Sequence, residues 1–104
     1  MFTLMIEHPV ADFDSWKAAF DSDPAGRKPS GVLRYRVYRP VDDPKYVLVN
    51  LDFVGATEAQ AFLASMRKIW GRVSTSLGLT RESGSGSASP HARVVEVVES
   101  NEIG

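Results

Sequence analysis

The sequence predicts an α+β fold in which two helices cover one face of a single antiparallel sheet. Strand-like and helix-like segments follow each other in the order strand, helix, strand, strand, helix, strand. One of them, Tyr46–Phe53, alternates so regularly that the two faces of the sheet can be distinguished. The chain has 104 residues, of which 43% are hydrophobic, so we expect one packed domain spanning residues 1–104.

The strand predicted at Tyr46–Phe53 gives the sheet a buried face and a mixed face. One set of alternate residues is large and apolar: Val47, Val49, Leu51 and Phe53. The other set is half apolar and half polar: Tyr46, Leu48, Asn50 and Asp52. Because side chains of a strand alternate between faces, the first set is expected to pack under the helices. Any functional site is expected on the mixed face.

The first strand and the first helix are predicted from the N-terminal residues. Phe2–His8 alternates as a strand does, and the strand ends at Pro9 because proline has no N–H to donate. Asp12 is the predicted N-cap of a helix that runs to about Asp21. Three aromatic residues recur there at helical spacing: Phe13, Trp16 and Phe20. They predict an amphipathic helix with an aromatic inner face.

A hairpin is predicted between the second and third strands. Val32–Arg39 has the alternation of a strand, and residues 40–44 hold the turn-forming run Asp42-Asp43-Pro44. Three residues of this second strand are expected on the mixed face: Arg34, Arg36 and Tyr38.

The second helix is predicted to begin with a capping box, in which Thr57 and Gln60 satisfy each other's backbone donors. An apolar stripe follows at helical spacing: Ala59, Phe62, Leu63 and Met66. We expect the main helix to reach about Lys68, with a looser helical turn after it and a stop at Gly78.

The end of the chain completes the pattern. Residues 83–89 are predicted to be a flexible glycine-serine loop, Ala92–Glu99 the last strand, and residues 100–104 a frayed tail. With right-handed crossovers, this order folds into a ferredoxin-like βαββαβ sandwich whose first and third strands are central. One sheet face is left uncovered and is too apolar for solvent, so a homodimer formed through that face is expected.

Five segments resemble the dimeric α/β-barrel superfamily, which includes antibiotic-biosynthesis-monooxygenase-like domains. They are His8–Lys17, Tyr35–Arg39, Asp42–Pro44, Phe62–Ser65 and Arg93–Glu99. The resemblance covers nearly the whole chain and implies a ferredoxin-like fold that forms a dimeric α/β barrel. It also implies a range of activities, because the superfamily contains oxygenases, cyclases, haem degraders and proteins without a known reaction.

The resemblance can be tested at the residues that its oxygenases and haem degraders use. Those proteins typically carry an asparagine on the first strand, with a tryptophan and a histidine further on. In this chain the first strand has Met5 and Glu7 instead of an asparagine, and no histidine follows Trp70 in the second helix. These departures argue against the oxygenase and haem chemistries.

Composition excludes several other classes of protein. A net charge of -1 argues against a nucleic-acid partner, and the lack of cysteine excludes disulfides and thiolate chemistry. No apolar run is long enough to span a membrane, and the N-terminus has no signal-peptide pattern, so a cytoplasmic protein is expected. No histidine or carboxylate cluster has metal-site spacing and no phosphate loop is present, so we expect neither a metal nor a cofactor.

Candidate ligand-binding residues lie mainly on the mixed face: Arg34, Arg36, Tyr38, Asn50 and Asp52. Arginines in a dimer cavity can hold a carboxylate or phenolate. The alternative is an arginine–aspartate pair that satisfies a polar dimer interface without a ligand. Arg36 is the residue expected to matter most, with Asp52 as its partner inside the protein or an acidic ligand as its partner outside it.

His8 and Trp70 each allow two interpretations. His8, at the end of the first strand, is a sixth candidate for ligand binding or general-base work, or else a junction residue bonded to backbone near Trp16. His91 is expected in solvent. Trp70 either packs in the core or lines a pocket mouth.

Two functions are therefore expected as alternatives. In the first, a homodimer binds a small, partly apolar molecule between its sheets, with or without oxygenase- or cyclase-like turnover. In the second, the same face is only a structural or binding interface. A pocket of suitable size lined by the candidate residues would favour the first function.

Overall fold

The computed structural model describes residues 1–76 and 90–103 of the chain. Four strands and two helices are present in this part: β1 (Phe2–Pro9), α1 (Phe13–Asp21), β2 (Arg34–Tyr38), β3 (Tyr46–Phe53), α2 (Ala56–Ser76) and β4 (His91–Glu96). The loop predicted at residues 83–89 and the helix stop predicted at Gly78 lie outside the described residues.

The strands form one sheet in the order β2-β3-β1-β4, and each neighbouring pair is antiparallel. β1 and β3 are therefore the central strands. This arrangement confirms the predicted ferredoxin-like α+β fold.

The core lies between the sheet and α2. Its largest fully buried side chains come from the central strands: Leu4, Val47, Leu51 and Phe53. Phe62 of α2 packs on Phe53, with the two ring centroids 5.7 Å apart. Each such side chain contributes about 1.5–3 kcal/mol when it leaves water, so this layer accounts for much of the stability of the fold.

Helix α1 packs less deeply than α2. Asp12 is its N-cap, as predicted, and accepts a hydrogen bond from the Ser15 backbone N–H at 2.9 Å. None of its side chains is fully buried. The half-buried aromatic residues instead stack on one another, with the Trp16 and Phe20 ring centroids 5.1 Å apart.

The loop after α1 is anchored by Arg27. Its guanidinium lies over the Phe20 ring at 4.0 Å and near the Tyr35 ring at 4.8 Å. Nη1 donates to the Phe20 carbonyl oxygen at 2.9 Å, and Nε lies 3.3 Å from Oδ1 of Asp23. One side chain thus connects the end of α1, the loop and β2.

Two predictions about α2 are wrong. The helix begins at Ala56, so Thr57 lies within the first turn and is not the N-cap of a capping box. The helix also continues as one α-helix to Ser76, although only a looser turn was expected after Lys68. A glycine such as Gly71 costs only about 1 kcal/mol inside a helix, and the half-buried Ile69 and Trp70 continue the packed face past Lys68.

Strands β2 and β4 are shorter than predicted because each depends on a neighbour. Glu96 pairs with Phe2, the first residue of β1, so β4 ends where its partner strand begins. One further bond follows, from the Val97 N–H to the Met1 carbonyl at 2.9 Å. Val98 is then 89% exposed. β2 is an edge strand, and its pairing with β3 extends only from Arg34 to Tyr38.

Candidate functional site

The uncovered face of the sheet is the mixed face predicted from the sequence. The strand register builds three rows of side chains across it. The rows, read from β2 to β4, are Arg34–Asp52–Thr3–Val95, Arg36–Asn50–Met5–Arg93 and Tyr38–Leu48–Glu7–His91. Five of the six predicted site residues are in these rows, as the alternation of the strands requires: Arg34, Arg36, Tyr38, Asn50 and Asp52.

The first row contains a hydrogen-bonded network centred on Asp52. Arg34 Nε donates to Oδ2 of Asp52 at 2.8 Å, and Thr3 Oγ1 donates to Oδ1 at 2.7 Å. The Asp52 side chain is 17% exposed and that of Arg34 is 67% exposed. Both carboxylate oxygens are therefore engaged within the chain.

The surroundings of Asp52 set its charge. Partial burial raises the pKa of this carboxyl group, but the hydrogen bonds from Arg34 and Thr3 and the charges of Arg34 and Arg36 lower it by more. The net result is a pKa below the ordinary aspartate value, so Asp52 is a carboxylate at neutral pH.

Of the two partners considered for Arg36, Asp52 is not the one it pairs with, because Arg34 stands directly opposite Asp52 in the register and forms the ion pair. Arg36 stands one row further along β2, opposite Asn50. Its side chain is exposed and makes no ion pair or hydrogen bond within the described residues. Arg36 is thus a cation on the uncovered face that forms no ion pair in this part of the chain, although its charge helps to lower the pKa of Asp52.

A second polar pair lies at the far end of the face. The Tyr46 hydroxyl donates to Oε1 of Glu7 at 2.7 Å. This bond, with smaller contributions from burial and from the charges of Glu7 and Asp43, raises the pKa of Tyr46. Tyr46 therefore remains a neutral hydrogen-bond donor at neutral pH.

The uncovered face carries a groove of about 660 Å³. Its floor and one side are formed by Thr3 and Met5 together with four of the predicted site residues, which are Arg34, Arg36, Tyr38 and Asn50. Asp52 also contributes to the floor, and residues 95–100 form the opposite side. The volume is in the range of small-molecule sites.

His8 lies on the other side of the sheet from these residues. It shares the parity of Leu4 and Ile6, which are buried under the helices. Nδ1 lies 2.9 Å from the Pro9 carbonyl oxygen, and the imidazole meets the Trp16 ring edge-on at 6.2 Å. Burial lowers the pKa of His8, with the Pro9 bond opposing that shift. The structure thus places His8 away from the other five candidates. Its contacts with the Pro9 backbone and with Trp16 are those expected of a residue at the junction between β1 and α1.

Two charged residues of the uncovered face were missed from the sequence. Arg93 stands opposite Met5, and Glu7 stands between Leu48 and His91. The face on which Arg93 lies could be assigned only from the register of β4. The face of Glu7 could have been assigned from the sequence, because Glu7 alternates in step with Thr3 and Met5. His91 is exposed, as expected, and Trp70 is half-buried beside the core.

The described residues provide neither a metal cluster nor a membrane span. No group of three or more histidine and carboxylate side chains could hold a metal ion in this part of the chain. No helix in the same residues has the length and hydropathy needed to cross a bilayer.

Solved structures are similar to the chain along its whole length. A candidate antibiotic biosynthesis monooxygenase from Deinococcus radiodurans matches with a TM-score of 0.66 and 13% identity, over 99% of this chain and 98% of that chain. A dimeric ferredoxin-like protein from an uncultured marine organism matches with a TM-score of 0.61 and 15% identity, over 96% and 97%. No protein-family model and no curated protein matches the sequence. The comparisons therefore establish the ferredoxin-like α+β fold and leave the activity to the site.

Proposed function

We propose that the uncovered face binds a small, partly apolar molecule that carries an acidic group. The observation that carries this proposal is Arg36, which lines the groove and forms no ion pair or hydrogen bond in the described chain. A guanidinium binds a carboxylate or phenolate strongly because it can donate two parallel hydrogen bonds. Tyr38 and Asn50 add polar contacts beside it, and Met5 adds apolar surface.

We propose further that a second copy of the chain closes the groove, as in a dimeric α/β barrel. Met5 and Tyr38 are 43% and 41% exposed on the uncovered face of the single chain. Large apolar side chains grouped with charges are typical of interaction surfaces. Twofold packing of like faces is the commonest way to cover such a surface. Closure would also remove water from around Arg36 and strengthen its attraction for an acid.

One observation favours the alternative, in which the face is only a dimer interface. The network of Arg34, Asp52 and Thr3 is satisfied without any ligand. A polar interface of this kind needs no bound molecule. We attach no reaction to the proposed site.

Binding and assembly can be tested together. We would titrate a panel of small aromatic and aliphatic carboxylic acids by calorimetry and measure the mass of the particle by light scattering. The variants are Arg36→Met and, as a matched control, Arg67→Met on the exposed side of α2. We expect a dimer for every variant. The affinity for the acid should fall by about tenfold or more in Arg36→Met and stay unchanged in Arg67→Met. A monomer at micromolar concentration would refute the assembly, and a dimer that binds no acid would favour the interface alternative.

A further inference from the structure

The groove has walls of opposite charge. β2 brings Arg34 and Arg36 to one wall, and the segment 95–100 brings Glu96 and Glu99 to the other. Arg34 is paired with Asp52, so these two charges largely cancel. Arg36 is then the cation that the β2 wall offers to a ligand.

Glu99 is the acid that the opposite wall offers. The alternation of β4 directs Glu96 to the same side of the sheet as Val94, which packs against the core. Glu99 lies beyond β4 and is exposed. Its Oε2 accepts a hydrogen bond from Nδ2 of Asn101 at 2.8 Å, and no cation pairs with it in the described chain.

We infer that the groove selects a zwitterion, that is, a small molecule whose acidic and amino groups are joined by an apolar body. The acid would lie at Arg36 and the amino group at Glu99. This inference rests on the proposed function, because it concerns the same groove and the same acid contact. It adds a substrate class, amino acids and related amphoteric molecules, and a specificity-determining residue, Glu99.

The reason is electrostatic. A ligand that carries only an acid gains the contact with Arg36 but adds a negative charge to a groove that already holds Glu99, which forms no ion pair in the described chain. An amino group on the ligand converts that repulsion into an attraction. Closure of the groove by a second copy would enlarge the effect, because charges are screened less when water is excluded. Selection against the acid alone would then come from repulsion as well as from the missing contact.

The test uses matched triplets of probes with the same apolar body. For 4-(aminomethyl)benzoic acid and 6-aminohexanoic acid, whose two charges lie at opposite ends of an apolar body, the triplet is the amino acid, the same acid without its amino group and the same amine without its carboxyl group. Each probe is titrated by calorimetry into the wild-type protein, Glu99→Gln and Glu102→Gln, the last being a matched control at an exposed acid beyond the segment that lines the groove. Arg36→Met completes the set.

We expect the amino acid of at least one triplet to bind about tenfold more tightly than its deaminated acid in the wild type and in Glu102→Gln. In Glu99→Gln the two probes should bind equally, and in Arg36→Met the amine should bind as well as the amino acid. If the deaminated acids bind as tightly as the amino acids in the wild type, this inference is overturned and the proposed function stands. If no probe binds at all, the proposed function fails, and the inference fails with it.

Discussion

The network around Asp52 predicts a stability contribution that depends on pH in a defined direction. Replacing Asp52 by asparagine keeps the size of the side chain and removes its charge. At pH 7 we expect the free energy of unfolding to fall by about 1–2 kcal/mol. The Thr3 bond is largely buried and charge-assisted, whereas the ion pair with the exposed Arg34 is discounted for solvent screening.

The sign of the pH dependence follows from the lowered pKa of Asp52. A carboxyl group with a lower pKa in the folded state stabilises the protein above its unfolded pKa and loses that contribution as the pH falls through the folded value. The difference between wild type and Asp52→Asn should therefore be constant from pH 7 to pH 5. It should shrink below the ordinary aspartate value of 3.8.

Urea unfolding followed by circular dichroism at a series of pH values measures both effects. Asp42→Asn is the matched control, because Asp42 is exposed in the turn between β2 and β3. We expect that control to match the wild type at every pH. A full penalty for Asp52→Asn that persists at low pH would refute the electrostatic account, and so would the absence of any penalty at pH 7.

Three further outcomes are expected. Phe62→Ala should lower the free energy of unfolding by about 3–5 kcal/mol in denaturant melts, because it empties the core beside Phe53; a loss below about 1 kcal/mol would contradict this packing. Stability should fall as the pH drops below 6.5, the ordinary value for histidine, because burial lowers the pKa of His8. His8→Gln should flatten that slope while His91→Gln leaves it unchanged, and equal slopes would exclude His8 as the cause. Gly31→Ala should destabilise the protein by about 1 kcal/mol or more because Gly31 has φ +96, whereas Gly71→Ala should stabilise it by about 0.5–1 kcal/mol in the same melts because alanine favours the helical backbone of α2 more than glycine does.

The fold could be predicted from the sequence because the period-two pattern of Tyr46–Phe53 is unusually clean. Every second residue of that strand is buried and every other one is half-buried, as the pattern indicated. The ends of the elements were less predictable. β4 stops where β1 provides no further partner, and a limit set by another segment of the chain leaves no mark in the local sequence.

The sequence predicted the shared face of five of the six candidate residues, but not which of them pair. Alternation placed Arg34, Arg36 and Asp52 on one face, but the choice between the two arginines as the partner of Asp52 required the register of β2 against β3. The contribution of residues 95–100 to the groove could not be foreseen either. It depends on where the chain runs after its last strand, and no periodic pattern governs that path.

Arg27 has a consequence for the groove although it lies outside it. β2 is an edge strand with one neighbour, so the position of its side chains would vary if only the bonds to β3 fixed it. The Arg27 guanidinium holds the Tyr35 ring, and Tyr35 separates Arg34 from Arg36 in β2. Arg27 thereby limits the movement of β2, the strand that carries Arg36. A substitution there should weaken the ligand binding that we propose, because more entropy would be lost on ordering Arg36, without removing any contact to the ligand.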